Sequence, residues 1–224
     1  MNKMPRFTTS ILPLALSIFA AGALHAQTYN ETGDAGANLS GAQGTGATSG
    51  QALTTISGSI LNGFDGDFFY ITVSNPAAFS ITTVGGSTLD TMLFLFTLAG
   101  NPVFLNDDAP GGASLQSNLP AGTFSSLAAG TYIVGISLSG AEPINSGNQP
   151  LFADGVFSTD IRGPRPGALG PVTGVTGATF SETGAYSITL TGAQTAIPEP
   201  SSLVLLAGSG IGTLLLLRRR IRRS

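Results

Sequence analysis

An all-β fold, either an antiparallel β-sandwich or a jelly roll, is the architecture that this sequence predicts for its central region. Apolar and polar residues alternate there with a period of two, as in strands that bury one face. Glycine occurs 31 times and proline 13 times, and both favour turns between short strands. Charged residues make up only 9% of the chain, so the polar surface must be built from Ser, Thr, Asn and Gln.

Four segments show the strand pattern most clearly. Three of them alternate, which predicts one buried face each, and they cover residues 68–73, 79–82 and 132–137. The fourth, residues 91–98, is apolar on both faces, which predicts a central strand that is covered on each side. Phe94 and Tyr132 are therefore expected in the core. Turn signals separate the strands at Asn62-Gly63, Gly85-Gly86, Gly100 and Gly111-Gly112.

The β-sandwich domain is expected over residues 55–193. Residues 27–54 are rich in Gly, Ala, Ser and Thr and contain few large apolar side chains, so they are predicted to be a flexible lead-in. Residues 142–182 fit no strand rhythm. They are predicted to form a long, mobile insertion in the domain.

Charge is strongly segregated along the chain. Seven of the nine basic residues lie in the two terminal segments, and residues 27–197 contain two arginines against eleven acids, a net charge of −9. Such a surface repels nucleic acid and attracts cations. The chain has no cysteine, and its single histidine, His25, falls in the segment that we expect to be removed. Ser-His-Asp and Cys-His catalysis, haem, iron-sulfur and ordinary zinc sites are therefore excluded, and the mature protein is predicted not to be an enzyme.

Residues 1–26 have the organisation of a cleavable signal peptide. Lys3 and Arg6 supply the positive amino-terminal region, and the apolar stretch of residues 11–24 is short for a membrane span. Cleavage is expected after Ala26, with the small residues 21–23 as an alternative site. The other interpretation of this segment is an uncleaved anchor.

Residues 197–224 combine three elements in a fixed order. The motif Pro198-Glu199-Pro200 comes first, and an apolar segment of residues 201–217 follows it. As a helix this segment is about 25 Å long, enough for a single transmembrane helix at the lower limit. The tail of residues 218–223 is expected to stay in the cytoplasm by the positive-inside rule, which forces the central domain outside. Its membrane-orienting residues are Arg218, Arg219, Arg220, Arg222 and Arg223.

These three elements resemble the PEP-CTERM sorting signal of Gram-negative bacteria that make exopolysaccharide. The resemblance implies that an exosortase in the inner membrane recognises the segment, cleaves it near the motif and passes the protein to the cell surface or the medium. It further implies association with exopolysaccharide or with other surface proteins in a biofilm. A permanent tail anchor is the alternative interpretation. A sorting signal is an address and does not describe the function of its cargo.

A second resemblance covers residues from about 56 to 138. Asp65-Gly66-Asp67 before an aromatic run, Asp90 before an apolar strand and Asp107-Asp108 after the next strand are similar to the bacterial pre-peptidase C-terminal domain. This resemblance implies a small jelly-roll-like β-sandwich. Some members of that family bind calcium or an insoluble polymer.

The aspartates of that region are the candidate metal ligands. Calcium takes 6 to 8 oxygen ligands, and turns at strand ends can bring several carboxylates together. The competing interpretation is that each aspartate caps a turn. A calcium-dependent glycan or polymer binding module is thus the alternative to a structural envelope or matrix protein, and a carboxylate-based hydrolase is a third, disfavoured by the lack of tryptophan. The five candidates are Asp65, Asp67, Asp90, Asp107 and Asp108.

Overall fold

The computed structural model describes residues 26–112, 114–155, 158–168 and 170–197. The predicted sorting motif, transmembrane helix and arginine tail, and all of the predicted signal peptide except Ala26, lie outside these residues. The described part of the chain is folded from strands and turns without any helix. It consequently holds no helix that could cross a membrane.

Thirteen strands are found among the described residues. In chain order they are β1 (Gln27–Asn30), β2 (Gln43–Gly44), β3 (Ala52–Ile60), β4 (Gly66–Val73), β5 (Ser80–Thr82), β6 (Thr91–Thr97), β7 (Pro102–Asn106), β8 (Asn118–Leu119), β9 (Gly130–Leu138), β10 (Pro143–Ile144), β11 (Ile161–Arg162), β12 (Gly174–Val175) and β13 (Gly184–Thr195).

The strands form the two layers of a β-sandwich, which confirms the predicted fold class. Eleven strands of the described chain form one hydrogen-bonded sheet, and this sheet supplies both layers. One layer contains β1, β3 and β13 with β5 and β8, and the other contains β4, β9, β6, β7 and β11 with β2 beside β4. The pairs are antiparallel except β1 with β3 and β2 with β4. A short separate sheet is formed by β10 and β12.

The last strand, β13, joins the two layers. Residues 189–191 pair with β5, whereas residues 193–195 pair with β4. The change of partner occurs at an irregularity in the register that contains Gly192. Its φ of 71° is accessible to glycine at little cost, and an added Cβ would lie 3.0 Å from the carbonyl oxygen of Asn75. Gly192 therefore lets one continuous strand serve both layers.

The main core lies between the two layers. It joins the inward-facing residues of β3 and β13 to those of β4, β6 and β9. Tyr186 is buried in it. Tyr132, which was predicted to lie in the core, is only partly buried, and its hydroxyl donates to the carbonyl of Ala128 at 2.9 Å. The alternating pattern of the strand did not predict the burial of Tyr132 correctly, because the hydroxyl end of this side chain reaches the surface.

A second core covers the outer face of β4, β6 and β9. On β4 both Phe68 and Phe69 are fully buried, and β9 is buried on both faces from Ile133 onward. The prediction of a single buried face is therefore wrong for these two strands. On β6 both faces are buried, as predicted from residues 91–98. The outer face is covered by the segment predicted as a mobile insertion, residues 142–182. That segment contributes Leu151, Phe152 and Val172 to the second core.

Residues 27–54, which were predicted to be a flexible lead-in, are instead part of the folded domain. This region contains β1, β2 and the first residues of β3. Tyr29 packs edge-on against Phe69 with ring centroids 6.0 Å apart, and Ala35 is fully buried. The few apolar residues of the region are enough to attach it because backbone pairing with β3 and β4 provides the rest of the contact.

Candidate acidic binding sites

Carboxylates gather at one end of the sandwich because of the strand register. Gly66 at the start of β4 pairs with Ser137, and Thr91 at the start of β6 pairs with Leu138, so both strands begin beside the end of β9. The end of β7 returns to the same place, since Asn106 pairs with Leu93. We call this region the acidic end. Its acids are Glu31, Asp34, Asp65, Asp67, Asp90, Asp107, Asp108 and Glu182.

The first group, which we call the Asp67 cluster, consists of Glu31, Asp34 and Asp67. One carboxylate oxygen from each residue lies within 4.8 Å of the others. Glu31 follows β1 and is held in place by two backbone amides, those of Ala35 at 2.7 Å and Ser59 at 3.0 Å. Each of its oxygens keeps a second lone pair for a ligand.

Asp67 is the most buried member of the Asp67 cluster. Its Oδ2 accepts a hydrogen bond of 2.7 Å from the hydroxyl of Tyr186, and its Oδ1 is buried without a hydrogen-bond partner. Burial, followed by the charges of Glu31, Asp65 and Asp34, raises the pKa of Asp67 to about 9, although the bond from Tyr186 opposes the shift. A buried carboxylate with a free oxygen is costly unless a proton or a cation neutralises it.

Asp65 stands beside the Asp67 cluster and has a structural bond of its own. Its Oδ2 accepts from the backbone amide of Leu61 at 2.6 Å, which closes the turn between β3 and β4. Burial raises its pKa, and that hydrogen bond opposes the rise. Asp65 therefore caps a turn, as the competing interpretation of the aspartates predicts.

The second group, which we call the Asp90 cluster, consists of Asp90, Asp107 and Asp108. Their carboxylate oxygens also lie within 4.8 Å of one another. Asp90 precedes β6 and the other two follow β7, so the hairpin of these antiparallel strands brings them together. The Oδ1 atoms of Asp90 and Asp107 are buried without a hydrogen-bond partner, whereas Asp108 accepts from the hydroxyl of Ser158 at 2.5 Å.

Burial and neighbouring acids raise the pKa values of Asp90 and Asp107. For Asp90 burial is the largest cause, and the charges of Asp107, Asp108 and Glu182 add to it, so that its pKa rises to about 6. Burial also raises the pKa of Asp107, against a hydrogen bond with Ser139. Positive charge placed beside Asp90 and Asp107 would oppose the like-charge contribution to these shifts.

The two arginines of the described chain are largely engaged elsewhere. Arg162 forms an ion pair of 2.7 Å with Glu142, and Arg165 pairs with Asp154. Arg162 offsets part of the rise in the pKa of Asp107, but that effect is smaller than burial. The acidic end therefore keeps an excess of negative charge among the described residues.

The five predicted aspartates fall into two places rather than one. Asp90, Asp107 and Asp108 come together, while Asp67, with Asp65 nearby, joins Glu31 and Asp34. Sequence reasoning missed Glu31 and Asp34 as site residues, because they lie in the stretch predicted to be a flexible lead-in. One feature of the sequence could have identified them as site residues, since they are the only acids in residues 27–54.

Fold and site together define a class: an all-β sandwich domain that concentrates carboxylates at one end. Residues 65–138 match the family described as the bacterial pre-peptidase C-terminal domain, so the central part of this chain is similar to that family. The match runs from Asp65 to the end of β9 and includes all five predicted aspartates. No curated protein and no solved structure matches the chain.

Proposed function

We propose that this chain is an exported, non-enzymatic protein of the cell envelope or extracellular matrix, and that its β-sandwich is a calcium-dependent binding module. The observation that carries the calcium proposal is the buried, unpartnered Oδ1 of Asp67 beside two further carboxylates. A structural role for Asp67 alone would leave that oxygen unsatisfied.

The donor set of the Asp67 cluster suits a hard divalent cation. Oxygen ligands from three carboxylates fit calcium, with backbone carbonyls and water completing 6 to 8 ligands. Glu31 and Asp67 are fixed by hydrogen bonds, and Asp34 is exposed, so an ion can enter from solvent. Glu31, Asp34 and Asp67 would hold the ion and link the segment after β1 to β4. Calcium would therefore stabilise the attachment of the amino-terminal strand.

The export part of the proposal rests on the two terminal segments. The signal peptide directs the chain across the inner membrane of a Gram-negative bacterium, and an exosortase processes it at Pro198-Glu199-Pro200. The described folded region ends just before this motif, which is compatible with cleavage there. Among the residues that the structure describes, Ala196 is the last one anchored in the sandwich, and it exchanges hydrogen bonds with Thr45 at 2.8 and 3.0 Å. Cleavage near the motif would leave both cores whole.

Direct calcium binding tests the module. Calorimetric titration of the purified full-length protein, in a neutral detergent and free of other divalent cations, should show saturable calcium binding. Asp67→Asn keeps an acceptor for Tyr186 but removes the charge, so it should weaken binding at the Asp67 cluster by about tenfold or more. Asp154→Asn removes the same charge from an ion pair with Arg165 and should leave the affinity unchanged. Absence of binding at millimolar calcium would refute the module.

Processing is tested on protein recovered from cells. Mass spectrometry of the surface and medium fractions should show chains that lack both residues 1–26 and the arginine tail. Replacement of Glu199 with alanine should leave the tail attached and retain the protein in the inner membrane. If most of the surface pool carries intact terminal arginines, the segment is an anchor and not a sorting signal.

A further inference from the structure

A surface pocket of about 260 Å³ opens beside the Asp90 cluster and has two kinds of wall. Asp90, Glu182 and the hydroxyl-bearing Thr88 and Ser139 supply polar groups. Phe180 and Leu115 supply apolar surface, although their side chains remain 66% and 58% exposed. Large apolar side chains next to carboxylates at the mouth of a pocket are typical of binding sites for small polar ligands with an apolar face.

The electrostatics of the pocket favour a cationic ligand. Asp90 faces the like charges of Asp107, Asp108 and Glu182, and its Oδ1 is buried without a partner. The arginines of the described chain are paired with Glu142 and Asp154, which are not among the residues of this pocket. A ligand that brings a positive charge to Asp90 and Glu182 would therefore relieve the repulsion among these carboxylates, which Arg162 offsets only at Asp107 and only in part.

The apolar wall distinguishes an organic cation from a metal ion. Glu182 lines the pocket but is not one of the carboxylates that gather within 4.8 Å around Asp90. A calcium or magnesium ion takes oxygen ligands and gains nothing from Phe180 or Leu115. A protonated amine on a ring with apolar C–H faces uses both walls, since the aromatic ring of Phe180 also attracts a cation.

We propose that this pocket binds a protonated amino sugar, one unit of a polysaccharide that carries free amino groups. The ammonium would pair with Asp90 and Glu182, the ring hydroxyls would bond to Thr88 and Ser139, and one sugar face would lie on Phe180. The volume is below the range of about 300 to 1,000 Å³ that is usual for drug-sized ligands, as expected for a single sugar unit. The net charge of −9 over residues 27–197 would attract such a polycation over a longer range.

This inference rests on the proposed envelope or matrix role, and it names the class of polymer that the module would hold. Its failure is distinguishable from failure of that role, because calcium binding at the Asp67 cluster is measured separately. If the sugar does not bind while calcium does, the amino-sugar site is refuted and the calcium module stands.

The test is a calorimetric titration of the full-length protein with a tetramer of glucosamine, compared with its fully N-acetylated form. The free-amine tetramer should bind about tenfold or more tightly than the neutral one. Glu182→Gln and Phe180→Ala should each weaken binding by about tenfold, and both side chains lie at the surface, so the fold should be retained. Asp154→Asn and Leu98→Ala are matched controls for charge and exposed apolar area, and they should bind like the unmodified protein.

Three results would overturn the amino-sugar site. Equal affinity for the two tetramers would show that the amine is not recognised. Tighter, Glu182-dependent binding of a tetralysine peptide would show that the pocket takes a basic protein segment instead. Loss of sugar binding in equimolar calcium would show that these carboxylates prefer the metal.

Discussion

Replacing Phe94 with alanine is expected to lower the free energy of unfolding by about 3 to 5 kcal/mol. Phe94 lies on β6, is fully buried, and has ring centroids 6.1 Å from both Phe96 and Phe152. Truncation would remove these contacts and leave a cavity that the surrounding strands can fill only in part. Because a domain of ordinary size is stable by about 5 to 15 kcal/mol, this single change would remove much of its stability.

The same measurement tests whether residues 142–182 cover the sheet. Phe152→Ala, in the segment predicted to be mobile, should cost a similar amount because Phe152 packs against Phe94 and Phe96 in the second core. Leu98→Ala, at a side chain that is 55% exposed, is the control and should change stability by less than about 0.5 kcal/mol. Urea unfolding provides the free energies. A loss below about 1 kcal/mol for both phenylalanines would mean that the outer face of β6 is not covered.

Calcium is expected to raise the free energy of unfolding by about 2.7 kcal/mol at a hundredfold excess over its dissociation constant. The stabilisation should depend on pH. In calcium-free buffer Asp67 holds a proton in the folded chain up to its pKa of about 9, whereas the unfolded carboxyl loses it near 3.8. The unfolded state then binds fewer protons, so stability should fall as pH rises through this window. Calcium, which requires the ionised form, should reduce or reverse that fall.

Thermal melting at several pH values, with calcium or with a chelator, measures both effects. Asp67→Asn cannot ionise, so it should show a weaker fall in stability with pH and a smaller response to calcium. The double variant Asp107→Asn and Asp108→Asn should lose any response that arises at the Asp90 cluster while the Asp67 cluster still responds. If calcium leaves the melting temperature of the unmodified protein unchanged, the aspartates are turn caps and not calcium ligands.

The class of fold could be predicted from the sequence because its determinants are local. Alternation, glycine-marked turns and the apolar run at residues 91–98 depend on neighbours within a few residues, and they predict strands and a doubly covered β6. The resemblance to the bacterial pre-peptidase C-terminal domain rests on motifs of the same local kind, and the match over residues 65–138 agrees with it.

The binding site depends on contacts that are distant in sequence. Asp107 could be paired with Asp90 by expecting a hairpin between β6 and β7, but nothing near Asp67 in the sequence indicates Glu31 and Asp34. They meet because β1 and β2 add to the sheet by parallel pairing, and the composition of residues 27–54 does not encode such pairing.

By itself the sequence determined that this protein is all-β, acidic between its two ends and without cysteine or tryptophan. Only the tertiary structure decided that residues 27–54 and 142–182 belong to the fold and that the carboxylates form two clusters rather than one. The physical reason is that a few apolar side chains, such as Tyr29 and Phe152, suffice when a preformed sheet offers them a surface. Which surface they meet is set by strand order and register, and neither is a local property of the chain.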